Sequence, residues 1–339
     1  MLNPSDGELL NNHNHKINMN TPISQRIGYP CINITLQSTE GIYTNRQMIK
    51  RTFEAQKDTL DHCSNLALAN VKDLVKIIQW NERNGIKFFR ISSNMFPWMS
   101  EYELSDLKDW KLIQANLRLA GKLATEYGQR LEFHPGPFNV LASLNNFVVR
   151  KTIKELNQHA QIFDEMGLEP SHWNQINIHV NTTQGGKEES AKRFCKNFQK
   201  LSDSAKARLV VENDDKPSQY SVVDLYEMVY KEIGVPITFD SHHHKYCSGN
   251  IDHETAAKLA ASTWGDIPAG FHFASTINHE SPNQMARAHA EWIYDEVTDW
   301  GTGAWIMCEC KGKELAIQSY LKEGVKQSEY VETYDLLLS

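Results

Sequence analysis

The sequence predicts a (β/α)8 TIM barrel in a single domain, and three observations predict it. Short apolar runs alternate with longer amphipathic stretches, a pattern that implies parallel strands covered by helices. The alternation repeats eight times within about 250 residues, the usual size of such a barrel. No GxGxxG follows any of the runs, so the nucleotide-binding form of the competing doubly wound sheet has no support.

In chain order, residues 1–25 are Asn-rich, polar and without periodicity, and are expected to form a disordered extension. "RIGYPCINITL" (26–36) reads as the first strand. "DHCSNLALANVKDLVKIIQWNERNG" (61–85) sets Leu66, Val71, Leu74, Ile77 and Ile78 at helical spacing before a glycine stop. Seven further strands are expected at "IKFFRIS" (86–92), "QRLEFH" (129–134), "QINIHV" (175–180), "RLVVEN" (208–213), "VPITFD" (235–240), "GFHFAS" (270–275) and "AWIMCE" (304–309). The stretches 107–128, 149–167, 187–202, 222–234, 254–265 and 284–297 between them, and 313–324 after the last, are amphipathic and expected to be helical. The barrel domain is taken as 26–325, with a C-terminal tail over 326–339.

The composition, 40% hydrophobic and 23% charged over 339 residues, is that of a globular protein. No run approaches the roughly 20 apolar residues that cross a bilayer. The first residues carry neither a basic n-region nor an apolar h-region, and an intracellular location, cytoplasmic or nuclear, is expected. A net charge of −7 argues against a protein that coats nucleic acid through a global positive field and leaves room for a local basic rim. The six cysteines include no CxxC pair and read as reduced thiols. The CxC at 308–310 places both on one side of a strand, opposite Glu309.

Residues at the C-terminal ends of barrel strands share one mouth, where barrel active sites lie. The ends of the predicted runs are His134, His179, Glu212, Asp240, His272 and Glu309. They recur about once per βα unit of roughly 30 residues, and every one can ligate a metal. Several carboxylates and imidazoles around one mouth would leave like charges unpaired, at several kcal/mol per ion, and cations remove that cost. In "FDSHHHKY" (239–246), His243 can swing back to the mouth from the first turn after Asp240, whereas His242 and His244 are expected in a solvated loop. His289, in "MARAHAEWI", is placed at the start of the following helix, where it could partner His243 around a third ion.

This all-N,O set suits Mn²⁺, Zn²⁺ or Mg²⁺ and disfavours a structural zinc. Glu212 and Glu309 can each bridge two ions, and with Asp240 they are the candidate catalytic carboxylates. Paired ions clamp attacking and leaving oxygens and lower the pKa of water toward about 7. No Ser/His/Asp arrangement or nucleophilic cysteine is evident.

"RIGYPCINITL", "FFRISSNMFP", "RLEFHPGPFNVL", "INIHV", "LVVENDD", "ITFDSHHHKY", "FHFAS" and "CECKGKE" resemble, in order and spacing, the UV-damage endonuclease family, from about Arg26 to about Leu315. The resemblance implies a (β/α)8 barrel related to the endonuclease IV type. It implies an enzyme that nicks damaged double-stranded DNA immediately 5′ of UV photoproducts with divalent ions, often manganese. It implies ligands at His134, His179, Glu212, Asp240, His243, His272, His289 and Glu309. His134, His179 and Glu212 would hold one ion; Glu212, Asp240, His272 and Glu309 a second; His243 and His289 a third. It also implies lesion reading by base extrusion, with Pro137, Phe138, Tyr29 and Asn33 as DNA contacts.

Departures from that pattern are specific. Pro137-Phe138 stands where characterised members carry Gln-Tyr, so a polar probe becomes an apolar wedge. Asn94 stands where some members have histidine, and Gly270 where some have a lysine that can be carbamylated. Both losses are expected to alter ion affinity or lesion range. Lys311 and Lys313 lie just beyond Glu309, as phosphate contacts or solvated cations. The alternatives are a metal-dependent sugar isomerase or epimerase barrel, in which His243 and His289 would be superfluous, and a barrel that binds damaged DNA without cutting it.

Overall fold

The computed structural model describes residues 21–55 and 58–328. Most of the expected N-terminal extension and C-terminal tail lies outside them. The described end of the extension holds a 3-10 turn at Ile23–Gln25. At the start of the tail, the Lys326 N–H donates to the Ile293 carbonyl at 2.9 Å.

The strands are β1 (Ile27–Pro30), β2 (Phe88–Ile91), β3 (Arg130–Phe133), β4 (Ile176–Ile178), β5 (Leu209–Glu212), β6 (Ile237–Thr238), β7 (Gly270–Phe273) and β8 (Trp305–Cys308). They form one eight-stranded sheet in the order β6-β5-β4-β3-β2-β1-β8-β7, with every pair parallel. The free edges of β6 and β7 meet through a parallel bridge between Asp240 and His272. There the His272 N–H donates to the Phe239 carbonyl at 2.9 Å. The sheet is thus a nearly closed barrel, as the alternation of runs predicts.

Helices cover it. After β1 come α1 (Ile34–Glu40), α2 (Lys50–Ala55) and α3 (Thr59–Arg83); after β2, α4 (Trp110–Glu126); after β3, α5 (Asn146–Glu165); after β4, α6 (Lys187–Phe198) and α7 (Asp203–Lys206). After β5 the chain runs through α8 (Val222–Leu225), a π-helical turn at Tyr226–Tyr230 and α9 (Lys231–Ile233). After β6 come α10 (Ser241–His244) and α11 (His253–Ala261), and α12 (Lys313–Glu323) follows β8. Helical spacing explains the packing: Ala67, Val71, Leu74 and Ile78 of α3 are fully buried, one stripe turned to the barrel.

Two expectations are corrected here. The run 26–36 is not one strand. β1 stops at Pro30, Cys31 adopts a positive φ of 70°, and Asn33 begins α1 by accepting the Leu36 N–H at 2.8 Å, an N-cap that ends the extended conformation. Nor is 284–297 helical. Its backbone groups are claimed elsewhere: Ala290 N–H by the Ser275 carbonyl at 2.8 Å, Glu291 N–H by the Glu280 carboxylate at 2.8 Å, and Tyr294 N–H by the Ser275 hydroxyl at 3.0 Å. Ile293 and Val297 still reach the core; tertiary hydrogen bonds override the helical spacing.

His159 on α5 is fully buried, edge-on to Phe133 with ring centroids 4.8 Å apart. Burial pushes it down to about 4. Burial also pushes His172 down to about 4, with Arg130 adding to the effect. Between pH 6.5 and 4 the unfolded chain therefore binds more protons at these rings than the folded one, and stability falls as pH falls through that window. Urea unfolding of the metal-free protein is expected to show this loss. A His159→Gln variant should show a shallower pH slope by about one proton; an unchanged slope would contradict the reading.

Candidate metal centre at the barrel mouth

Glu212 ends β5 and is the hub. Its Oε2 lies 3.1 Å from His134 Nε2, 3.6 Å from His179 Nε2 and 3.1 Å from His272 Nδ1. Its Oε1 lies 3.2 Å from His243 Nδ1. The Asn177 amide also donates to Oε2. Strands deliver three of the imidazoles: His134 directly follows β3, His179 directly follows β4 and His272 lies within β7. His243 sits on α10, the turn capped by Asp240, whose Oδ1 accepts the His243 N–H at 2.8 Å. Glu309 directly follows β8 and places Oε1 3.4 Å from His272 Nδ1.

The electrostatics follow from this crowding. Burial alone would push the Glu212 carboxyl up, but His272 and His179 together with hydrogen bonds from His134 and His243 hold it well below the usual carboxylate range. Burial disfavours charge on His243, yet Asp240 and Glu212 raise it well above an ordinary histidine. His179 is raised against burial by Glu212 and Asp214, whereas His134 is lowered, chiefly by burial. Without a metal, protons on the rings compensate the carboxylates.

Three groups bring ligand atoms within 4.8 Å of one another: His134, His179 and Glu212; Glu212, Asp240 and His243; and His134, His272 and Glu309. Asp240 Oδ2 is buried with no hydrogen-bond partner and lies 3.8 Å from His243 Nδ1, an acceptor that suits a cation. The donors are all N and O, and these residues fit hard or borderline divalent ions.

The groupings differ from the expected ones in two respects. His243 joins Glu212 and Asp240 instead of His289. His289 lies in the β7–β8 loop, bridged to Thr276, with its ring against His242 (centroids 5.3 Å apart) and Nδ1 3.7 Å from Glu309 Oε2. Asp240 is grouped with Glu212 and His243, while its backbone pairs with His272.

Other expectations are also corrected. His242 and His244 are buried, not solvated. His242 Nε2 lies 3.1 Å from the Arg287 carbonyl and His244 Nε2 2.9 Å from the Ile251 carbonyl. A single helical turn sends the rings that miss the mouth into packing behind it. Tyr29 and Asn33 are likewise fully buried: the Tyr29 hydroxyl donates to Asn81 Oδ1 at 2.6 Å, and the Asn33 amide donates to the Tyr29 hydroxyl at 2.8 Å. They tie β1 to α3 and present no surface to DNA.

Pro137 and Phe138 stand exposed, Phe138 at 89%, on the edge of a cavity of about 750 Å³ that Asn94, Trp98, Phe147 and Asn181 also line. At Gly270 a Cβ would fall 2.1 Å from Gln175 Oε1, so Gln175 occupies the space a lysine would need. All six cysteines are free, and burial pushes Cys310 up to about 12.

Residues missed in the sequence complete the centre. Arg90 Nε donates to Glu132 Oε1 at 2.6 Å, and its Nη1 pairs with Glu309. His179 Nδ1 lies 3.2 Å from Asp214 Oδ1 as an ion pair. The signal was present: Glu132 and Asn177 stand two residues before His134 and His179, on the same inward face.

The family model described as "UV-endonuclease UvdE" matches residues 25–335. The UV-damage endonuclease of Schizosaccharomyces pombe is 34% identical over 311 residues, covering 87% of this chain and 50% of that protein; this chain therefore spans half of that relative's length. The UV DNA damage endonuclease of Clostridium perfringens is 29% identical, covering 92% of this chain and 76% of that one. The crystal structure of SacUVDE superposes with a TM-score of 0.74 at 31% identity, over 88% of this chain and 98% of that one. A mouth built from His134, His179, Glu212, Asp240, His272 and Glu309 on a matching barrel, with a family match along almost the whole length, makes this chain a member of the UV-endonuclease UvdE family.

Proposed function

We propose that the protein is a divalent-metal-dependent phosphodiester hydrolase that incises damaged duplex DNA immediately 5′ of UV photoproducts. The observation that carries it is the Glu212 carboxylate, ringed by four imidazoles beside the buried Asp240 Oδ2, which accepts no hydrogen bond, in a chain whose relatives are named UV-damage endonucleases. Glu212 and Asp240 with His134, His179 and His243 would hold ions on one side, and His272 and Glu309 on the other; His289 reaches the site through Glu309. When bound, such ions, with Mn²⁺ the first candidate and Zn²⁺ or Mg²⁺ the others, neutralise phosphodiester charge and make water acidic enough to attack near neutral pH.

The chain's own residues do the rest. Asp214 offsets charge on His179, and Arg90 steadies Glu309. Phe138, apolar and almost fully exposed, suits a wedge that enters the duplex where stacking is already impaired, beside a cavity lined by Trp98 and Phe147. Lys311 is exposed and available to phosphate. Damaged DNA as partner accords with an intracellular location. Among the described residues no helix is long and apolar enough to cross a membrane.

Purified protein supplied with Mn²⁺ is expected to nick a UV-irradiated duplex and leave an unirradiated one intact. Equal cutting of both, or no cutting with the metal fully bound, would overturn the assignment. Tight binding of the irradiated duplex without a nick would identify a recognition module instead.

A further inference from the structure

A column of buried polar side chains runs along the barrel axis from floor to mouth. Arg130 Nη2 donates to Gln175 Oε1 at 2.8 Å. Gln175 Nε2 donates to Glu132 Oε2 at 2.7 Å. Glu132 Oε1 accepts from Arg90 Nε at 2.6 Å. Arg90 then spends its remaining nitrogens at the mouth, Nη1 on the Glu309 carboxylate and Nη2 on His272 Nε2 at 2.8 Å. Arg90 and Glu132 face each other across β2 and β3 in register, and the Glu132 side chain has no exposure at all.

Such barrels are usually filled by branched apolar side chains, and a buried carboxylate costs several kcal/mol unless it is well paired. Glu132 balances the buried charge of Arg90 and Arg130, but charge alone fixes no direction for the Arg90 fork. What Glu132 adds is direction. A guanidinium is a rigid planar fork; with Nε held by Glu132 on one side, the Nη1 and Nη2 edge can face only Glu309 and His272. The neighbouring strand accommodates the arrangement. Gln175, which holds the other Glu132 oxygen, fills the place above Gly270, where any Cβ would lie 2.1 Å from its Oε1.

We propose that Glu132 is a positioning residue of the metal centre, acting through Arg90 on the Glu309 carboxylate and, both through Arg90 and directly across 3.6 Å, on the His272 ring, to hold them in one arrangement. The proposal rests on the reading of that centre given above. Outer partners of metal ligands fix ligand orientation, and their loss typically lowers metal affinity roughly 10- to 100-fold.

The test is a Mn²⁺ titration of metal-free protein, followed by the electron paramagnetic resonance signal of the free ion, with thermal unfolding measured on the same samples. Glu132→Gln keeps the volume but presents one acceptor where Arg90 Nε and Gln175 Nε2 each need one, so the hold on the fork is broken along with the charge. It is expected to bind Mn²⁺ roughly 10- to 100-fold more weakly and to lower kcat for incision with KM for DNA unchanged. A Glu132→Gln isotherm that overlays the wild type, whatever its melting temperature, overturns the proposal and marks the column as packing only. Should Glu132→Gln fail to fold, Arg90→Lys decides: it keeps a cation between the two carboxylates but cannot span them as a fork. An equal weakening supports the proposal, and a wild-type isotherm removes it. Wild-type protein that takes up no Mn²⁺ removes the metal-centre reading, and this proposal falls with it. Normal wild-type uptake with an unaffected Glu132→Gln removes the proposal alone.

Discussion

Glu212→Gln is expected to lower incision of UV-irradiated duplex by at least about 10³-fold while the barrel still folds. The magnitude follows from how many contacts converge on one carboxylate. Two of the three candidate ligand groups contain Glu212, and an amide offers a donor where both groups need an anion, so both lose their charged ligand together. Ions that neutralise a phosphodiester and acidify water supply several kcal/mol of the barrier reduction, and each 1.36 kcal/mol is tenfold in rate. The fold is expected to survive because the proton balance is local. Glu212 is a principal reason that His243 and His179 are raised; once its charge is gone those rings shed protons more readily, and little buried charge is stranded. The wild type should melt higher as Mn²⁺ is added, since ligand bound only by the folded state stabilises it, and Glu212→Gln should show most of that rise abolished. Incision within tenfold of the wild type would mean that Glu212 is not the hub.

Much of this centre was legible because strand ends are where periodicity 2 stops and side chains turn toward a common mouth. His134, His179, Glu212 and Glu309 each sit at or just beyond such an end. The rest depended on information that local patterns do not carry. Asn33 ended the first strand through a cap that looks like any other asparagine in a run of apolar residues. The segment 284–297 has helical spacing, but Ser275 and Glu280 take its backbone donors, and no window of sequence contains that pairing. His242 and His244 flank His243 and read as loop; only the packing of Phe239 against His244, with centroids 5.3 Å apart, shows why they are inside. Charged residues within strands were the largest blind spot. Arg90, Arg130 and Glu132 look like interruptions of apolar runs, yet they are the barrel's interior.

Arg130→Met is expected to destabilise the metal-free protein by about 4 kcal/mol, within the 3–5 kcal/mol typical of breaking a buried charged contact. Arg130 is fully buried. Its Nε donates to the Trp173 carbonyl at 3.0 Å, Nη1 to the carbonyls of Pro268 at 2.9 Å and Ala269 at 3.1 Å, and Nη2 to the His172 carbonyl at 3.3 Å besides Gln175. Its guanidinium lies 4.9 Å from the Trp173 ring centre and 5.4 Å from that of Trp264. Two effects oppose each other. Methionine removes the desolvation cost of a buried cation, a cost visible in the drop of Arg130 to about 9 through burial, and that favours the variant. It also removes the Arg130 donors from carbonyls at the barrel floor, of which that of Ala269 keeps the Trp305 N–H at 2.8 Å, at about 1–3 kcal/mol for each buried acceptor left unmade. The acceptors are backbone and cannot be mutated away with their partner, so the second effect wins. Arg130→Lys, with three donors on a flexible stem instead of five in a plane, should fall between. Urea unfolding checks both, and a loss under about 1 kcal/mol for Arg130→Met, well below the range for a broken buried contact, would mean that water enters the floor and satisfies the carbonyls. In that event the floor would be a wet layer, and the column that rises from Gln175 to Arg90 would have to stand without a rigid base.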